Sequence, residues 1–420
     1  MKQYDTYKDS GIEWIGEIPS HWEVKKIKQL TNTLTGSTPK STEESYWNGD
    51  INWVTTDDLG KLETKYIFES RRKITKEGFE NSGTYLAPEG SIVISTRAPI
   101  GHLGILRIEA CTNQGCKTIV ANPNYNPEFF YYFLYTGKGF LNSLGVGTTF
   151  LELPTQTLKD FLIPFPKIEE QIAIATYLDR KTAEIDALIT DKKRLLELYE
   201  EEKTAVINQA VTKGIDPKAK MKDSGIEWLG EIPEHWEVKR FKYFFRLITE
   251  KKENDLLKIG LENIESKTGK FIKTDAEFEG QGISFKLKDI LFGKLRPYLA
   301  KVWLSEFDGQ AVGDFYVFRA KENVLPEFAK YRILDSSFIE IVNSSTYGSK
   351  MPRVSWEFIS DLFIAFPNSK EQQSIVRHIE IECTRIDAKI AKTQRLIELL
   401  TEYRTALISE VVTGKIKVTD

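Results

Sequence analysis

Cysteine is scarce: Cys111, Cys116 and Cys383 are the only thiols in 420 residues. Three cannot build a disulfide framework, and they fit a reducing compartment. Cys111 and Cys116 lack a second nearby Cys or His pair, so the spacing reads as two buried thiols rather than a zinc site. Long apolar runs are missing too. None approaches the roughly 18 residues that a membrane-spanning helix needs, and the opening MKQYDTYKDS is no signal peptide. A soluble, cytoplasmic protein without a membrane partner is expected. An excess of one charge is also absent, with a net charge of −3. Residues 1–166 carry 17 Lys and Arg against 19 Asp and Glu, and residues 222–366 carry 22 against 23. Neither has the basic excess usual in a nucleic-acid binder. Any phosphate-binding face must come from charges segregated in three dimensions. A Gly-x4-Gly-Lys-Ser/Thr phosphate loop is lacking, so ATP hydrolysis is not encoded.

Glycine and proline are absent from 168–211, which is rich in Ala, Leu, Glu and Lys. This composition predicts one long helix, roughly 63 Å at about 1.5 Å per residue. Ile174, Leu178, Ile185, Leu188, Leu195, Tyr199 and Val206 follow steps of four, seven and three, a coiled-coil seam. Lys181, Lys192 and Glu202 interrupt it, which calls for a specific partner helix. The chain itself supplies one. Residues 165–212 match 366–413 at 19 of 48 positions, and the seam recurs at Ile375, Ile379, Ile386, Leu396, Leu400, Tyr403 and Leu407.

A second repeat is closer. KDSGIEWIGEIPSHWEVKKIK (8–28) and KDSGIEWLGEIPEHWEVKRFK (222–242) share 17 of 21 residues. In contrast, 29–150 and 243–350 show little alignable identity. The scaffold is duplicated and the two inserted regions are not, so a machine with a different reader in each half is expected. The lead-in residues Trp14, His21 and Trp22, with their counterparts Trp228, His235 and Trp236, read as braces between each globular region and the helices.

Within the globular regions, short β-type runs at 51–55, 91–95 and 117–120, and at 258–260, 289–292, 302–304 and 315–319, alternate with turn clusters. Helices are expected over 126–135 and 326–342. The fold class is mixed α/β with a pseudo-two-fold internal repeat. The limits read as 1–166 for the first globular domain and 167–213 for the central helix. The second domain spans 214–367, opening on a linker over 214–221, and 368–420 holds the C-terminal helix and tail.

These residues carry a family resemblance. GSTPKSTEESYWNGDINWVTTDDL (36–59), GSIVISTRAPIGHLGIL (90–106), TNQG (112–115), DILFGKLRPYLAKVW (289–303) and KMPRVSWEF (350–358) all contribute. So does the Phe-Pro…Glu-Gln start of each long helix. Over essentially its whole length the chain resembles the specificity subunit of a Type I restriction–modification enzyme. The resemblance implies two target-recognition domains, each reading one half of a bipartite DNA sequence, and an antiparallel pair of spacer helices. It implies double-stranded DNA, two modification subunits and restriction subunits as partners. Adenine methylation and restriction would be performed by those partners. S-adenosylmethionine, ATP and Mg would sit on them, with no cofactor, metal or catalytic residue in this chain. A spacer of roughly 60 Å exceeds one turn of B-DNA, about 34–36 Å, and is shorter than two.

The DNA-binding candidates are Arg71, Arg72, Lys73, Arg97, Lys294, Arg296, Lys350 and Arg353, with Lys251 and Lys252 as further cations. Arg suits guanine edges and Asn or Gln suits adenine. Asn113, Gln114 and Gln281 fit the latter role and a turn role equally. The glycine-bearing loops 36–39, 145–149 and 347–353 either let backbone approach DNA or simply turn. Arg296, followed by Pro297 and Tyr298, sits in a run expected to be partly buried.

Two other classes compete. One is a coiled-coil scaffold without DNA specificity. The other is a methyltransferase or nuclease. Asn122-Pro123-Asn124-Tyr125 resembles the Asn-Pro-Pro-Tyr motif of adenine methyltransferases, but the third residue differs and no Gly-rich loop opens a βαβ unit. Glu23-Val24-Lys25 and Glu237-Val238-Lys239 have nuclease-like spacing without a Pro-Asp to complete a metal site.

Overall fold

The computed structural model describes residues 2–147, 151–251, 256–276, 278–348 and 350–418. Lys252, and the loop positions Thr148, Thr149 and Ser349, lie outside the described residues. The chain forms two compact units, residues 1–192 with 395–420 and residues 193–394. The limits drawn from sequence gave each long helix a segment of its own; here each helix is shared between the units.

In the first unit a five-stranded sheet runs in the order Thr33–Thr35, Cys116–Ile119, Ile92–Ser95, Leu103–Leu106, Tyr66–Ile67. Its pairs are antiparallel except for the last, which is parallel. Both faces of Ile92–Ser95 are buried, which is why this strand reads as a continuous apolar run. Beside it a three-stranded sheet joins Ala110–Thr112, Trp47–Val54 and Lys73–Ile74. The expected 126–135 helix spans Pro127–Thr136. Asn126 caps it by accepting from Phe129 N at 2.8 Å, and Phe129, Phe130 and Phe133 sink into the main core.

The second unit repeats this plan from different residues. Phe245–Ile248, Phe315–Ala320, Ile290–Gly293 and Val302–Leu304 form an antiparallel four-stranded sheet. Lys258–Ile259, Gly309–Ala311 and Ile283–Phe285 form a second sheet. As in the first unit, this second sheet contains one parallel pair. The single helix expected over 326–342 is two helices, Pro326–Leu334 and Ser336–Ser344. Asp335 divides them. Its carboxylate accepts from Phe338 N at 3.2 Å, so it acts as an N-cap and not as a helix-interior residue.

The long helices span Ile168–Lys213 and Ser369–Val412. Inside the first unit, Ile174, Leu178 and Ile185 share a core with Leu407, Ile408, Val411 and Val412. Inside the second, Ala210 and Val211 share one with Ile375, Val376 and Ile379. The start of one helix meets the end of the other in each unit, so the pairing is antiparallel. Ile386 is also buried, and Leu195, Tyr199, Val206 and Leu400 are half-buried. Three predicted seam positions are not. Leu188 and Leu396 are 40% and 39% exposed, and Tyr403 is exposed as well. A straight helix drifts by about 20° per heptad from a 3.5-residue seam, so a stripe that starts buried walks outward unless the helices supercoil. Buried Thr393 occupies the seam seven residues after Ile386. Of the charged seam residues, Glu202 takes Arg385 of the facing helix at 3.0 Å, whereas Lys181 pairs along its own helix with Glu184 at 2.6 Å.

Candidate nucleic-acid interface

The duplicated lead-in meets the first turn of each long helix. His21 Nε2 lies 3.0 Å from Glu170 Oε2, and His235 Nε2 lies 2.7 Å from Glu371 Oε2. Trp22 and Trp236 are fully buried beneath them. The neighbouring glutamines complete each joint. Gln171 Nε2 donates to Pro166 O at 2.8 Å and its Oε1 accepts from Asn126 N at 2.9 Å. Gln372 Nε2 donates to Pro367 O at 2.9 Å and its Oε1 accepts from Leu325 N at 2.7 Å. Each Glu-Gln pair therefore ties a helix start to its own globular region, and the lead-in histidines serve as braces.

The candidate cations fall into two kinds of place. Arg71, Arg72 and Lys73 have local partners. Arg71 is ion-paired to Asp57, Arg72 stacks 3.8 Å over Trp47, and Lys73 lies in a strand opposite Asn52. Arg71 and Arg72 are exposed and Lys73 is half-buried, and such stacking leaves a guanidinium's N–H groups able to meet phosphate. Arg97, Lys294, Arg296, Lys350 and Arg353 all come to one kind of structure, present once in each unit.

That structure is a strap across the end of the central strand. In the first unit Thr96 N donates to Gly115 O at 2.8 Å and Leu153 N to Thr96 O at 2.8 Å; Ala98 N reaches Leu151 O at 3.2 Å. Val146 and Glu152 exchange both backbone bonds, at 2.9 and 3.0 Å. In the second unit Lys294 N donates to Asp314 O at 2.8 Å and Val354 N to Lys294 O at 3.2 Å; Arg296 N reaches Pro352 O at 2.8 Å. Tyr347 and Arg353 exchange both bonds at 3.0 Å. Bond for bond, Arg97 corresponds to Leu295, Glu152 to Arg353, and Gly115 to Asp314. Glu152 and Arg353 lie at the same 201-residue offset as the helix repeat, whereas Arg97 and Leu295, and Gly115 and Asp314, lie at other offsets and are matched only by the fold.

Each strap carries one carboxylate between two cations. Arg97 Nε donates to Glu152 Oε2 at 3.1 Å, and Lys117 Nζ stands 4.0 Å from Glu152 Oε1. Lys117 is buried, which lowers its pKa. In the second unit Arg353 donates from Nε and Nη2 to Asp314 at 3.1 and 2.9 Å, while Lys294 Nζ lies 3.8 Å away. The hydrogen bonds to Asp314 raise the Arg353 pKa above its ordinary value, so it stays a cation. Tyr298, Tyr347 and Met351 are exposed beside it, and Val146 is exposed on the first strap.

Several expectations change. The run around Arg296 is partly buried, but Arg296 itself is exposed; its backbone sits in the left-handed region at φ 49° and its Nη2 reaches Lys350 O at 3.5 Å. Asn113 is half-buried, and its Oδ1 is buried without a hydrogen-bond partner. Gly36 serves packing: a Cβ there would meet Asn113 O at 2.0 Å. The sequence reading missed Lys117, Glu152 and Asp314. A lysine inside the apolar run Cys116–Ile119 was the only signal for any of them. Among the described residues no cluster of three or more His, Cys, Asp or Glu side chains could hold a metal ion, and no helix is long and apolar enough to cross a membrane.

A family model described as the Type I restriction modification DNA specificity domain matches residues 19–198. The Type I restriction enzyme MjaIX specificity subunit of Methanocaldococcus jannaschii is 29% identical over 96% of this chain and 95% of its own length. The EcoDI specificity subunit of Escherichia coli is 23% identical over 87% and 82%. Among solved structures, the HsdS subunit from Thermoanaerobacter tengcongensis has the same fold. It aligns at a TM-score of 0.61 and 13% identity, over 95% of this chain and 98% of that one. A chain from a study of type I R-M complex assembly and conformational transition aligns at 0.62 and 13%, over 95% and 99%.

Proposed function

We propose that this chain is a specificity subunit of a Type I restriction–modification enzyme and that it reads a bipartite DNA sequence, one half-site per unit. The observation that carries the reading is the pair of straps. One backbone frame is built twice, from segments with little sequence identity and with different side chains in equivalent places. Two readers of two different half-sites need that combination. Each unit would grip DNA through phosphates and read base edges from the strap and its neighbouring loops. The long helices are continuous through both units, and we read them as the spacer that sets the gap between half-sites.

The chain itself is non-catalytic in this reading. Two modification subunits dock on it and methylate an adenine in each half-site, holding S-adenosylmethionine, and restriction subunits supply the ATP- and Mg-dependent steps. The setting is the cytoplasm. The deciding experiment exchanges residues 29–150 for the matching region of a relative and maps methylated sites in a host carrying the complex. One half-site should change and the other stay. A change in both sinks the modular reading. Methylation by the purified chain alone would overturn the non-catalytic assignment. A scaffold without specificity predicts no sequence-selective gel shift even from the assembled complex.

A further inference from the structure

Opposite charges usually cancel at a surface, yet neither strap is neutral. Glu152 faces Arg97 and Lys117, and Asp314 faces Arg353 and Lys294. Each cluster has one carboxylate and two cations, so each keeps an excess positive charge. The carboxylate also fixes how its arginine points. Asp314 holds the Nε and Nη2 side of Arg353, and among the described residues the Nη1 end has no partner. The second hydrogen on Nη2 and those on Nη1 therefore form an outward fork. Glu152 holds only Nε of Arg97, leaving both Nη groups forward. A planar fork held side-on by a carboxylate matches paired acceptors such as guanine O6 and N7. Lysine at the same place offers a point charge without that geometry.

We infer that Arg353 and Arg97 are specificity-determining residues, each reading a guanine in the half-site of its own unit, with Asp314 and Glu152 as the positioning residues that aim them. This rests on the bipartite reading above and goes beyond it by naming the residues and the base. The two straps present their arginines from opposite strands of the same frame. Arg97 follows the central strand, whereas Arg353 lies on the segment that crosses it. Two units with one frame would thus place a guanine differently within their half-sites.

The test uses the full chain assembled with its modification subunits and a pool of randomised DNA, with bound molecules selected and sequenced. Wild type should select two half-sites. R353A should lose its preference at one guanine-bearing base pair by roughly 5- to 100-fold, with the other positions and the other half-site unchanged. R97A should do the same in the opposite half-site. R353K keeps the charge and should bind DNA nearly as tightly while losing that discrimination. D314N should weaken it at the same base pair. The retained half-site reports that each variant is folded and assembled. Uniform weakening on all sequences, with a salt dependence shallower by about one phosphate contact, would make the arginines backbone contacts and overturn the inference. Unchanged selection overturns it as well. Wild type without sequence preference would instead bring down the bipartite reading itself.

Discussion

Replacing Asp335 should cripple the second unit and leave the first reading its DNA. Arg332 and Asp335 have side chains 1% and 2% exposed, and Arg332 Nη1 donates to Asp335 Oδ2 at 3.0 Å. Burial already pushes the Arg332 pKa down, and Asp335 is what opposes that push. Trp228 lies 5.3 Å from the guanidinium and cannot replace a counter-charge. Asp335→Ser keeps an N-cap oxygen for Phe338 N but removes the charge. Stranding one partner of a buried pair costs about 3–5 kcal/mol. A domain is typically stable by only about 5–15 kcal/mol, so most of the margin disappears. Denaturant unfolding followed by tryptophan fluorescence reads the loss, since Trp228, Trp236, Trp303 and Trp356 lie in this unit. Adding Arg332→Met should recover at least half of it. The Nε of Arg332 is already buried without a partner, so removing the guanidinium removes that deficit too. If D335S is within about 1 kcal/mol of wild type, or if the double variant is no better than the single, the buried-charge argument fails.

Two further outcomes follow from the titratable groups. Asp160 pairs with Lys28 at 2.7 Å and Lys26 at 3.2 Å, and hydrogen bonds from Lys28, Gln156 and Lys26 hold its pKa well below the ordinary carboxylate range. Its contribution is therefore present above the unfolded value of about 4 and is lost as pH falls through the lower folded value. The melting-temperature difference between wild type and D160N should shrink on acidification below about pH 4, and a constant difference would remove Asp160 from the account. The thiols make a second case. Burial pushes Cys111 up to about 11, raises Cys116 further and also raises Cys383. At pH 7 a disulfide-exchange reagent should label the native chain far more slowly than the denatured one, with half-buried Cys383 reacting first. Fast labelling of Cys111 or Cys116 in the native protein contradicts their burial.

Local features were legible from sequence. A stretch of 46 residues without Gly or Pro made a helix, and Asn126 before Pro127 capped the helix where the pattern put it. Non-local features were not. Whether Leu188 faces the other helix depends on how far two helices supercoil, which a seven-residue repeat alone does not fix. Asp335 in the middle of an apolar segment reads as helix until its cap on Phe338 N is seen. The strap joins residues near 97 to residues near 152, and residues near 295 to residues near 353. No periodicity encodes such a pairing. Glu152 and Asp314 were lost for this reason: a carboxylate acquires a role only once the fold shows which cation it holds.

The straps also explain why one duplication could yield two readers. The bonds that the two frames share are main-chain bonds: strand end to facing strand, and crossing segment to loop. Main-chain bonds are indifferent to the side chains beside them, so Arg97 can become Leu295 and Glu152 can become Arg353 at equivalent points without unmaking the frame. The lead-in and the Glu-Gln helix starts work the opposite way. Their joints are made by particular side chains, His21 to Glu170 and Gln171 to Pro166 O in one unit, His235 to Glu371 and Gln372 to Pro367 O in the other. A change at any of these breaks a joint. Identity between the halves is therefore concentrated where side chains carry the structure and thins where the backbone does. The cost of a new specificity then falls mainly on charge balance. An arginine introduced on a strap needs a carboxylate to aim it and a second cation to keep the site attractive to DNA, which is the set each unit has assembled from different positions.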